Sequence, residues 1–557
     1  MQAFAALLER LQLTPQRNGK IRLLADYCRA VPDPDRGYAV AAIAGGLSIP
    51  GVKPAMLRAL ATERLDEVLF HYSWDYVGDL AETVALAWPR QEAEVAAGEA
   101  PRLAEVVPAL MAASRLEGPR LVEGLLDRLD ASGRYALLKL VTGELRVGVT
   151  ARLAKQALAQ FGGREVTEIE EVWHGLAPPY EALFAWLEGC GPRPESGLPA
   201  PFRPVMLAQA LDELDLASLD PADFAAEWKW DGIRVQAVAE AGQRRLYSRT
   251  GDDISGAFPD LLDALAYEAA IDGELLVGRP GDAGMVVAPF GDLQQRLNRK
   301  TVSAKLMRAY PAFIRAYDIL RDGEDDLRPL PFRNRRVRLE AFIGALATDR
   351  LDLSPLIAFE AWDELARLRA DPPETAAEGI MLKRWDSPYL PGRPKGPWFK
   401  WKRDPFTVDA VLLYAQRGHG KRSSFYSDYT FGVWAGPEEA PELVPVGKAY
   451  FGFTDEELRE IDRYVRHNTV ERFGPVRAVR AEPEHGLVLE VAFEGLNRST
   501  RHRSGIAMRF PRVSRLRWDK PPREADRIDS LHKLLEEKAG GAAAPLPLAS
   551  SGSAVKP

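Results

Sequence analysis

The sequence has 557 residues, more than one hydrophobic core usually supports, so its length favours three or more domains. Its 46% hydrophobic and 27% charged residues are typical of a soluble protein, and no apolar run is long enough to cross a bilayer. The formal net charge of -7 at pH 7 excludes a uniformly basic protein that coats nucleic acid. Any contact with nucleic acid must therefore come from local basic patches, with an affinity that depends strongly on salt.

The N-terminal segment and the cysteines indicate the compartment. The opening MQAFAALLERL has an apolar helical face, but Glu9 and Arg10 interrupt the apolar core that a signal peptide needs. Cys28 and Cys190 are far apart and next to no histidine cluster, so they match neither a disulfide framework nor a zinc-binding pattern. We predict that both cysteines are reduced and structural, and that the protein is cytoplasmic with no membrane partner.

The first part of the chain has the pattern of helices. Over residues 1–197, stretches such as LVEGLLDRLDASGRYALLKLVTGEL carry apolar residues at i, i+3 and i+4, which predicts an all-α domain. The run CGPRPESGLPAPFRP, at 190–204, is dense in Pro and Gly and predicts an interdomain linker.

The rest of the chain is predicted to form two β-rich domains. Over residues 204–403, runs such as IRVQAVAE and FIRAYDIL predict an α+β domain of antiparallel sheets with helical insertions. Over 404–530, five strand-like runs and one helix at TDEELREIDRYVRHNTV predict an OB-fold β-barrel, and Thr454 and Glu457 form a capping-box pattern at the start of that helix. The Ala-, Pro- and Ser-rich tail at 540–557 is predicted to be disordered.

The strongest chemical signal is KWDGIR, in which Lys229 lies just before Asp231-Gly232 and Arg234 begins the next predicted strand. A lone motif of this kind could be a surface hairpin. Six further motifs favour a functional role, and they follow in the order SRTG (248–251), DGELL (272–276), YDIL (317–320), EGIMLKR (378–384), WFKWK (398–402) and RLRWDK (515–520). This ordered set resembles the motifs of the covalent nucleotidyltransferase superfamily, which contains DNA ligases, RNA ligases and mRNA capping enzymes.

Basic residues in these motifs suit a lysine nucleophile. A lysine amine has a reference pKa of about 10.4, so it must lose a proton before it can attack phosphorus. Neighbouring cations favour that loss and also neutralise a triphosphate, and the candidates are Arg234, Lys383, Lys400 and Lys402. Because Lys400 and Lys402 are two residues apart on a predicted strand, they should project from one face, although a solvated edge strand could show the same pattern.

Two acids are candidates for binding a metal ion. Glu274 and Glu378 lie beside glycines at predicted strand beginnings, where a carboxylate could approach the cations. Carboxylate oxygens suit Mg²⁺, which binds through one or two carboxylates and substrate phosphate, but either glutamate alone would more often be an exposed turn acid. The resemblance implies that Glu274 contacts the ribose or a metal and that Glu378 helps to hold the metal.

The resemblance also implies contacts to the sugar and the base of the nucleotide. Tyr317 is expected to stack on adenine, Glu227 to lie near the base, and Arg249 to contact the ribose or the phosphate of a DNA nick. A tyrosine that precedes an aspartate in a strand could equally be part of the core.

Further basic residues are expected at the phosphates. In YLPGRPKGPWFK, Arg393 is our candidate for a phosphate contact, with Lys395 as the alternative. By the resemblance, Arg517 and Lys520 of RLRWDK reach the β and γ phosphates when the domains close, although a basic strand could also be a surface that faces DNA. The barrel must then move between reaction steps.

The helical part indicates which member of the superfamily this is. YVGDLAETVA (76–85) and LLKLVTGELRVGVTARLAKQAL (137–158) look like the helical DNA-binding domain of archaeal and eukaryotic replicative-type DNA ligases. Arg146 and Gly148 are the predicted DNA contacts there, and an ordinary interhelical turn is the alternative. Over residues 1–530 the layout is similar to the bacterial cisplatin damage response ATP-dependent DNA ligases.

The resemblance therefore implies an ATP-dependent DNA ligase that seals 5′-phosphate/3′-hydroxyl nicks in duplex DNA through lysyl-AMP, with ATP as co-substrate and Mg²⁺ as cofactor. We expect a monomer in the bacterial cytosol or nucleoid that acts in DNA repair, where repair proteins could be partners. Two alternatives remain at this point: an RNA ligase or capping-type guanylyltransferase, and a non-enzymatic DNA-end binder. The complete motif set argues against the second.

Overall fold

The computed structural model describes residues 1–77, 79–89, 100–143, 145–194, 199–281, 284–297, 299, 301–346, 348–372, 377–417, 426–450, 452, 454–473, 476–499 and 502–540. The tail predicted to be disordered therefore lies outside the described residues, except for Gly540 at the end of a helix. The chain divides into two compact units. The first consists of Met1–Pro204 with Glu240–Gln243, and the second begins at Val205.

The first unit is helical, as predicted. Its helices are α1 (Gln2–Leu13), α2 (Arg17–Ala30), α3 (Asp35–Ala44), α4 (Pro54–Arg64), α5 (Glu67–Val77), α6 (Leu80–Ala87), α7 (Leu103–Ala112), α8 (Glu117–Asp127), α9 (Ala131–Thr142), α10 (Ala151–Gly162), α11 (Val166–Trp173) and α12 (Glu181–Leu187). Each turns an apolar stripe inward, and α1 for example buries Phe4, Leu8 and Leu11. Within the described ranges, every helix falls short of the length or the hydropathy that a membrane span requires.

The connection between α9 and α10 has an unusual backbone. Helix α9 ends at Thr142 and is capped by Gly143, and Arg146 and Gly148 follow with φ of 45° and 64°, in the left-handed region. Thr150 then caps α10, since its hydroxyl accepts a hydrogen bond from Leu153 N at 3.2 Å. This short segment carries Arg146 and Gly148, the predicted DNA contacts.

Residues 205–402 form two sheets with helices around them. The strands are β1 (Gln209–Ala210), β2 (Phe224–Trp230), β3 (Ile233–Glu240), β4 (Gln243–Ser248), β5 (Ala269–Gly281), β6 (Gly284–Val287), β7 (Ala312–Asp322), β8 (Asp325–Asp326), β9 (Leu351–Leu353), β10 (Leu356–Ile357), β11 (Ala377–Arg384) and β12 (Trp398–Lys402). The helices are α13 (Glu213–Leu216), α14 (Pro259–Leu262), α15 (Phe290–Gln294), α16 (Ala304–Ala309), α17 (Phe332–Ala345) and α18 (Trp362–Ala370).

The strand order explains how distant motifs meet. One sheet has the order β1-β12-β11-β2-β10, and the other has the order β4-β3-β5-β7-β8, with β6 beside β5 and β9 beside β7. The pairs β2/β10, β2/β11, β11/β12, β3/β5, β5/β6, β5/β7 and β7/β8 are antiparallel, as predicted, whereas β1/β12 and β7/β9 are parallel. Leu276 and Phe313 of the second sheet pack in one core with Trp230, Ile380 and Phe399 of the first. The two sheets therefore pack together.

The C-terminal part is a curled sheet of the predicted OB type. Its elements are β13 (Phe406–Arg417), β14 (Tyr426–Ala435), β15 (Glu442–Ala449), α19 (Asp455–Asn468), β16 (Thr469–Phe473), β17 (Val476–Val479), β18 (Val488–Phe493), β19 (Gly495–Arg498), β20 (Ile506–Arg509), β21 (Arg512–Arg517) and α20 (Ile528–Gly540). The predicted capping box at α19 is confirmed, because Thr454 N donates to the Glu457 carboxylate at 2.7 Å and Glu457 N donates back to the threonine hydroxyl at 3.2 Å.

The expected count of five strands and one helix was wrong. The described residues form nine strands and two helices in this part of the chain. Short strands such as the β19-β20 hairpin have too few residues for a clear alternating pattern. The second helix, α20, belongs to the barrel because its Leu531 and Leu535 are buried in the barrel core.

Candidate active site

Strands from both sheets of residues 205–402 line one cavity of about 790 Å³. The structure brings eleven of the predicted site residues together on its wall: Glu227, Lys229, Arg234, Arg249, Glu274, Tyr317, Glu378, Lys383, Arg393, Lys400 and Lys402. Lys395 does not line this cavity, so the geometry favours Arg393 over the alternative.

Strand alternation accounts for one wall of this cavity. Glu227 of β2 lies opposite Met381 of β11, which in turn lies opposite Lys400 of β12. Since side chains two residues apart share a face, Lys229 and Lys402 project to the same side as these residues. The prediction that Lys400 and Lys402 share a face is confirmed, because both line the cavity.

The residues Asp231 and Gly232 connect β2 of one sheet to β3 of the other. The alternative that KWDGIR forms a simple surface hairpin is therefore wrong. Gly232 is required by a close approach of two chain segments, because a Cβ at this position would lie 2.5 Å from the Leu275 carbonyl oxygen. The turn thus holds Lys229 at the junction of the two sheets.

Lys229 forms an ion pair with Glu378, and the two side chains are 21% and 27% exposed, so a substrate can reach the amine. The position of Glu378 depends on a local irregularity of β11. The register between β11 and β2 shifts between Ala377 and Ile380, and Gly379 has a φ of 148°. A Cβ on Gly379 would lie 2.3 Å from the Trp401 carbonyl oxygen, so only glycine fits beside β12.

A second carboxylate, Glu227, is almost completely buried between two cations. Its Oε2 lies 2.9 Å from Lys383 Nζ, and its Oε1 accepts a hydrogen bond from Arg336 Nη1 at 3.2 Å. Burial raises the pKa of the Glu227 carboxyl and lowers that of the Lys383 ammonium, and each charge partly offsets the shift of the other. The Lys383 ammonium also lies 4.5 Å from the centre of the Tyr317 ring.

The Arg234 side chain is held by acidic and aromatic neighbours. Its Nη2 lies 2.5 Å from Oδ2 of the fully buried Asp272 and 3.0 Å from the Tyr389 hydroxyl, which also donates to Asp272. The charges of Arg234 and of Lys383 are thus each balanced by a buried carboxylate. Both were expected from the sequence to lie near the lysine nucleophile, and both line its cavity.

A cluster of cations that repel one another lies elsewhere in the cavity. Burial, followed by the charges of Arg393 and Lys402, lowers the pKa of Lys400. Burial, followed by the charges of Arg234 and Arg393, also lowers the pKa of Arg249. Mutual repulsion of this kind is relieved when an anion binds, so this side of the cavity suits phosphate groups.

Glu274 faces the same cavity from β5, opposite Arg234 of β3. The prediction that it begins a strand was wrong, because β5 starts five residues earlier, at Ala269, and continues through Gly273. Burial raises the pKa of Glu274 to about 8, and the nearby Glu378 adds to the shift. No group of three or more His, Cys, Asp or Glu side chains suited to a metal ion occurs in the described part of the chain.

Arg517 and Lys520 do not line the cavity. They lie at the end of β21 and just after it, and both contact Oδ2 of Asp409, Arg517 Nη1 at 3.2 Å and Lys520 Nζ at 2.7 Å. Arg517 also pairs with Asp519 at 3.0 Å. The barrel is joined to the cavity region by other contacts: Arg509 pairs with Asp231, and Lys402 pairs with Glu494 at 2.7 Å.

Arg146 and Gly148, the predicted DNA contacts, belong to the first unit. Lys20 of α2 supports their turn, because its ammonium donates to the Val147 carbonyl at 2.5 Å and to the Gly148 carbonyl at 3.4 Å. A Cβ at Gly148 would lie 2.5 Å from Lys20 Nζ. The conformation of this turn is therefore set by a contact between elements that are distant in sequence.

Several residues of the site were missed in the sequence. Met381 and Trp398 line the cavity, and both lie within recognised motifs. Each is two residues from a predicted residue of its strand, so it lies on the same face. Tyr389 and Arg336 lie outside those motifs. Only the spacing of Met381 and Trp398 along their strands was a signal that could have identified them.

The cavity holds a reachable lysine paired with a carboxylate, a cluster of cations, and a buried acid whose lysine partner lies over an aromatic ring. This site lies on two sheets followed by an OB-like barrel, and the combination defines a covalent nucleotidyltransferase. Comparison with known proteins identifies the family within this superfamily. Residues 205–402 match the family model described as ATP dependent DNA ligase domain, and residues 422–520 match the model described as ATP dependent DNA ligase C terminal region.

Relatives match over nearly the whole chain. A probable DNA ligase of Koribacter versatilis (strain Ellin345) is 31% identical over 579 residues, which covers 96% of each chain. DNA ligase 1 of Korarchaeum cryptofilum (strain OPF8) is 31% identical over 556 residues, covering 97% of this chain and 98% of the relative. The chain belongs to the ATP-dependent DNA ligase family, which seals nicks through lysyl-AMP.

A solved structure named Pmar-Lig_PreS3 has the same fold. It superposes with a TM-score of 0.57 and 14% sequence identity, and the match covers 92% of this chain and 99% of that one. The prediction of a helical part, an adenylation domain and an OB-like barrel is thus confirmed.

Proposed function

We propose that Lys229 is the residue of this ligase that carries AMP and that the cavity around it binds ATP. The observation that carries this assignment is the partly exposed Lys229 ammonium, paired with Glu378 in the cavity that collects the motif residues. In the first step Lys229 Nζ attacks the α-phosphorus of ATP. The bond from that phosphorus to the bridging oxygen breaks, pyrophosphate leaves, and the lysine proton is released to solvent.

The other cavity residues position the nucleotide. Tyr317 stacks on adenine and Glu227 lies at the base, and both line the cavity near Lys383. The cation cluster binds sugar and phosphate groups, with Arg249 at the ribose or the nick phosphate and Arg393, Lys400 and Lys402 at the phosphates. The remaining predicted residues, Arg234 and Lys383, support these groups through their buried ion pairs.

Release of pyrophosphate requires a different position of the barrel. Arg517 and Lys520 orient the β and γ phosphates in our proposal, but both are bound to Asp409, outside the cavity. We infer that the barrel swings toward the cavity for the first step and away from it afterwards. In the later steps AMP moves from Lys229 to a DNA 5′-phosphate, and a 3′-hydroxyl then displaces AMP.

We propose that Mg²⁺ supports this chemistry and that Glu274 and Glu378 hold it. The residues present fit the ion, because two carboxylates that line the same cavity and the oxygens of a bound phosphate make up the hard-oxygen ligands that Mg²⁺ prefers. The buried Glu274, whose pKa is raised to about 8, would also be stabilised in its charged form by a nearby cation. When bound, the ion neutralises the negative charge that develops on the phosphates.

The first unit is proposed to bind nicked duplex DNA through the turn that contains Arg146 and Gly148. Its left-handed backbone and the Lys20 contact support a fixed, exposed shape that could approach a phosphate backbone. We propose domain boundaries of 1–197, 204–403 and 404–530, a monomer, a bacterial cytosolic or nucleoid location and a role in DNA repair.

The substrate is tested by sealing reactions with the full chain. Duplexes with one nick in DNA or in RNA are incubated with ATP or with GTP, and joined strands are separated on a denaturing gel. We expect the nicked DNA to be joined with ATP. Joining of RNA alone, or covalent labelling by GTP alone, would contradict the proposal.

A further inference from the structure

Two neighbouring arginines of α17, Arg335 and Arg336, are buried with their charges paired to different acids. Arg335 binds Asp318 through two hydrogen bonds of 2.8 and 3.0 Å, whereas Arg336 reaches Glu227. Burying an arginine costs free energy unless its charge and its donors are matched. The two arginines are therefore placed to bind these buried acids and do not serve to keep the helix surface soluble.

Arg336 is itself held in one orientation. Its Nε donates to Glu340 at 2.7 Å, and its Nη1 donates both to the Ser354 carbonyl at 2.9 Å and to Glu227 at 3.2 Å. The Ser354 residue is completely buried, so this carbonyl is a rigid anchor. On the other side, Lys383 holds the second oxygen of Glu227 at 2.9 Å.

The two cations together determine what Glu227 offers to the cavity. Burial raises the pKa of Glu227, but the charges of Lys383 and Arg336 oppose that shift and favour the ionised form, and their contacts fix its orientation. An ionised carboxylate only accepts hydrogen bonds. An ionised Glu227 carboxylate accepts a hydrogen bond from an amino group at C6 of a purine and repels a keto oxygen at that position. A mobile or protonated carboxyl group would lose that distinction, because its O–H can donate to a keto oxygen.

We infer that Arg336 is a positioning residue that fixes Glu227 and thereby sets the preference of the cavity for ATP over GTP. This inference rests on the proposed function, in which the Glu227 side chain lies at the base of the nucleotide. Arg336 does not touch the reacting atoms, so its loss should change nucleotide selection more than the rate of Lys229 adenylation at saturating ATP.

The test compares Arg336→Gln and Arg336→Lys with the control Arg338→Gln, which changes an arginine on the same helix that is 49% exposed. Covalent labelling of Lys229 by α-³²P ATP and by α-³²P GTP gives KM and kcat for each nucleotide, and the melting temperature is measured in parallel. For Arg336→Gln we expect the KM for ATP to rise and the ATP/GTP preference to fall, each by about tenfold, with kcat changed by less than about threefold. Arg336→Lys should recover part of the preference, and Arg338→Gln should behave as wild type.

The inference would be overturned if Arg336→Gln lowered adenylation by ATP and by GTP equally, so that the ATP/GTP preference stayed unchanged, whatever the melting temperature. A purely structural arginine would act on both nucleotides alike. Should Arg336→Gln fail to fold, Glu227→Gln supplies the test. Its amide both donates and accepts, so the ATP/GTP preference should again fall, and an unchanged preference would overturn the inference. Absence of any adduct in the wild-type protein would instead contradict the proposed function itself.

Discussion

Arg509, in the last residue position of β20, forms a two-point ion pair with Asp231, two residues after Lys229. The contact joins the barrel to the turn between the two sheets of the cavity. In the same arrangement Asp409 holds Arg517 and Lys520 outside the cavity. The described position of the barrel therefore suits a step that does not need those two cations.

We predict that Arg509→Ala impairs the steps after adenylation. The rate of the first step, which in our proposal uses Arg517 and Lys520 at the cavity, should change by less than about threefold. Sealing of a pre-adenylated nick should slow by about tenfold or more, because an ion pair that fixes the barrel is lost. Arg503→Ala, at an exposed arginine near the same hairpin, is the control. Loss of adenylation with normal sealing of a pre-adenylated nick would contradict the prediction.

A second contact of the barrel should compete with ATP. Glu494 pairs with Lys402, a residue proposed to bind phosphate, and the two side chains are 24% and 40% exposed. Since exposed pairs of this kind contribute about 0.2–1 kcal/mol, Glu494→Gln should lower the KM for ATP in adenylation by about two- to threefold. Glu442→Gln, which alters an exposed ion pair elsewhere in the barrel, should leave the KM unchanged. A raised KM in Glu494→Gln would show that the pair supports ATP binding instead.

The stability of the nucleotide-free protein should depend on pH because of Glu274. Its pKa is raised from 4.5 to about 8 in the folded state, so the folded protein holds a proton that the unfolded chain releases between those values. The stability that this group contributes is therefore fully present below about pH 4.5 and is lost as the pH rises through 8. Compared with Glu274→Gln, the melting temperature of the wild type should fall progressively from pH 5 to pH 8. Parallel curves for the two proteins would contradict this, and Glu324→Gln at an exposed turn is the control.

Substitutions in the turn between α9 and α10 should weaken DNA binding without changing adenylation. Arg146→Gln should weaken binding to a nicked duplex by about tenfold and reduce the slope of log affinity against log salt by about one, because one phosphate contact is lost. Gly148→Ala should act in the same direction, since its φ of 64° strains any residue with a Cβ. Adenylation without DNA should remain normal in both. Arg29→Gln, at an exposed arginine of α2, should bind as wild type, and normal DNA binding by Arg146→Gln would reject the assignment.

Local sequence patterns predicted much of the cavity. The period-two spacing of strands placed Lys400 and Lys402 on one face, and the ordered motifs identified Lys229 and Glu378 as neighbours of the same site. Helical periodicity likewise predicted the first unit, and the spacing of Thr454 and Glu457 predicted a helix start.

The partners of the charged side chains could not be predicted in this way. Arg336 and Glu227 are 109 residues apart, and Arg509 and Asp231 are 278 apart, so only the tertiary fold brings them together. Glu274 was misplaced for a local reason, because glycine usually interrupts a strand and here Gly273 continues it. A Cβ at Gly273 would lie 2.5 Å from the Ile314 side chain of β7, a packing constraint that the sequence does not display.

The central claim is that Lys229 carries AMP, and the most direct measurement is covalent labelling of the full chain. Wild type, Lys229→Ala and Lys395→Ala are incubated with α-³²P ATP and Mg²⁺ and separated on a denaturing gel, with melting temperatures to show that all three fold. Lys395 is a suitable control because it is a nearby lysine that does not line the cavity. We predict a labelled band for wild type and Lys395→Ala and none for Lys229→Ala. A labelled band that persists in Lys229→Ala would contradict the account.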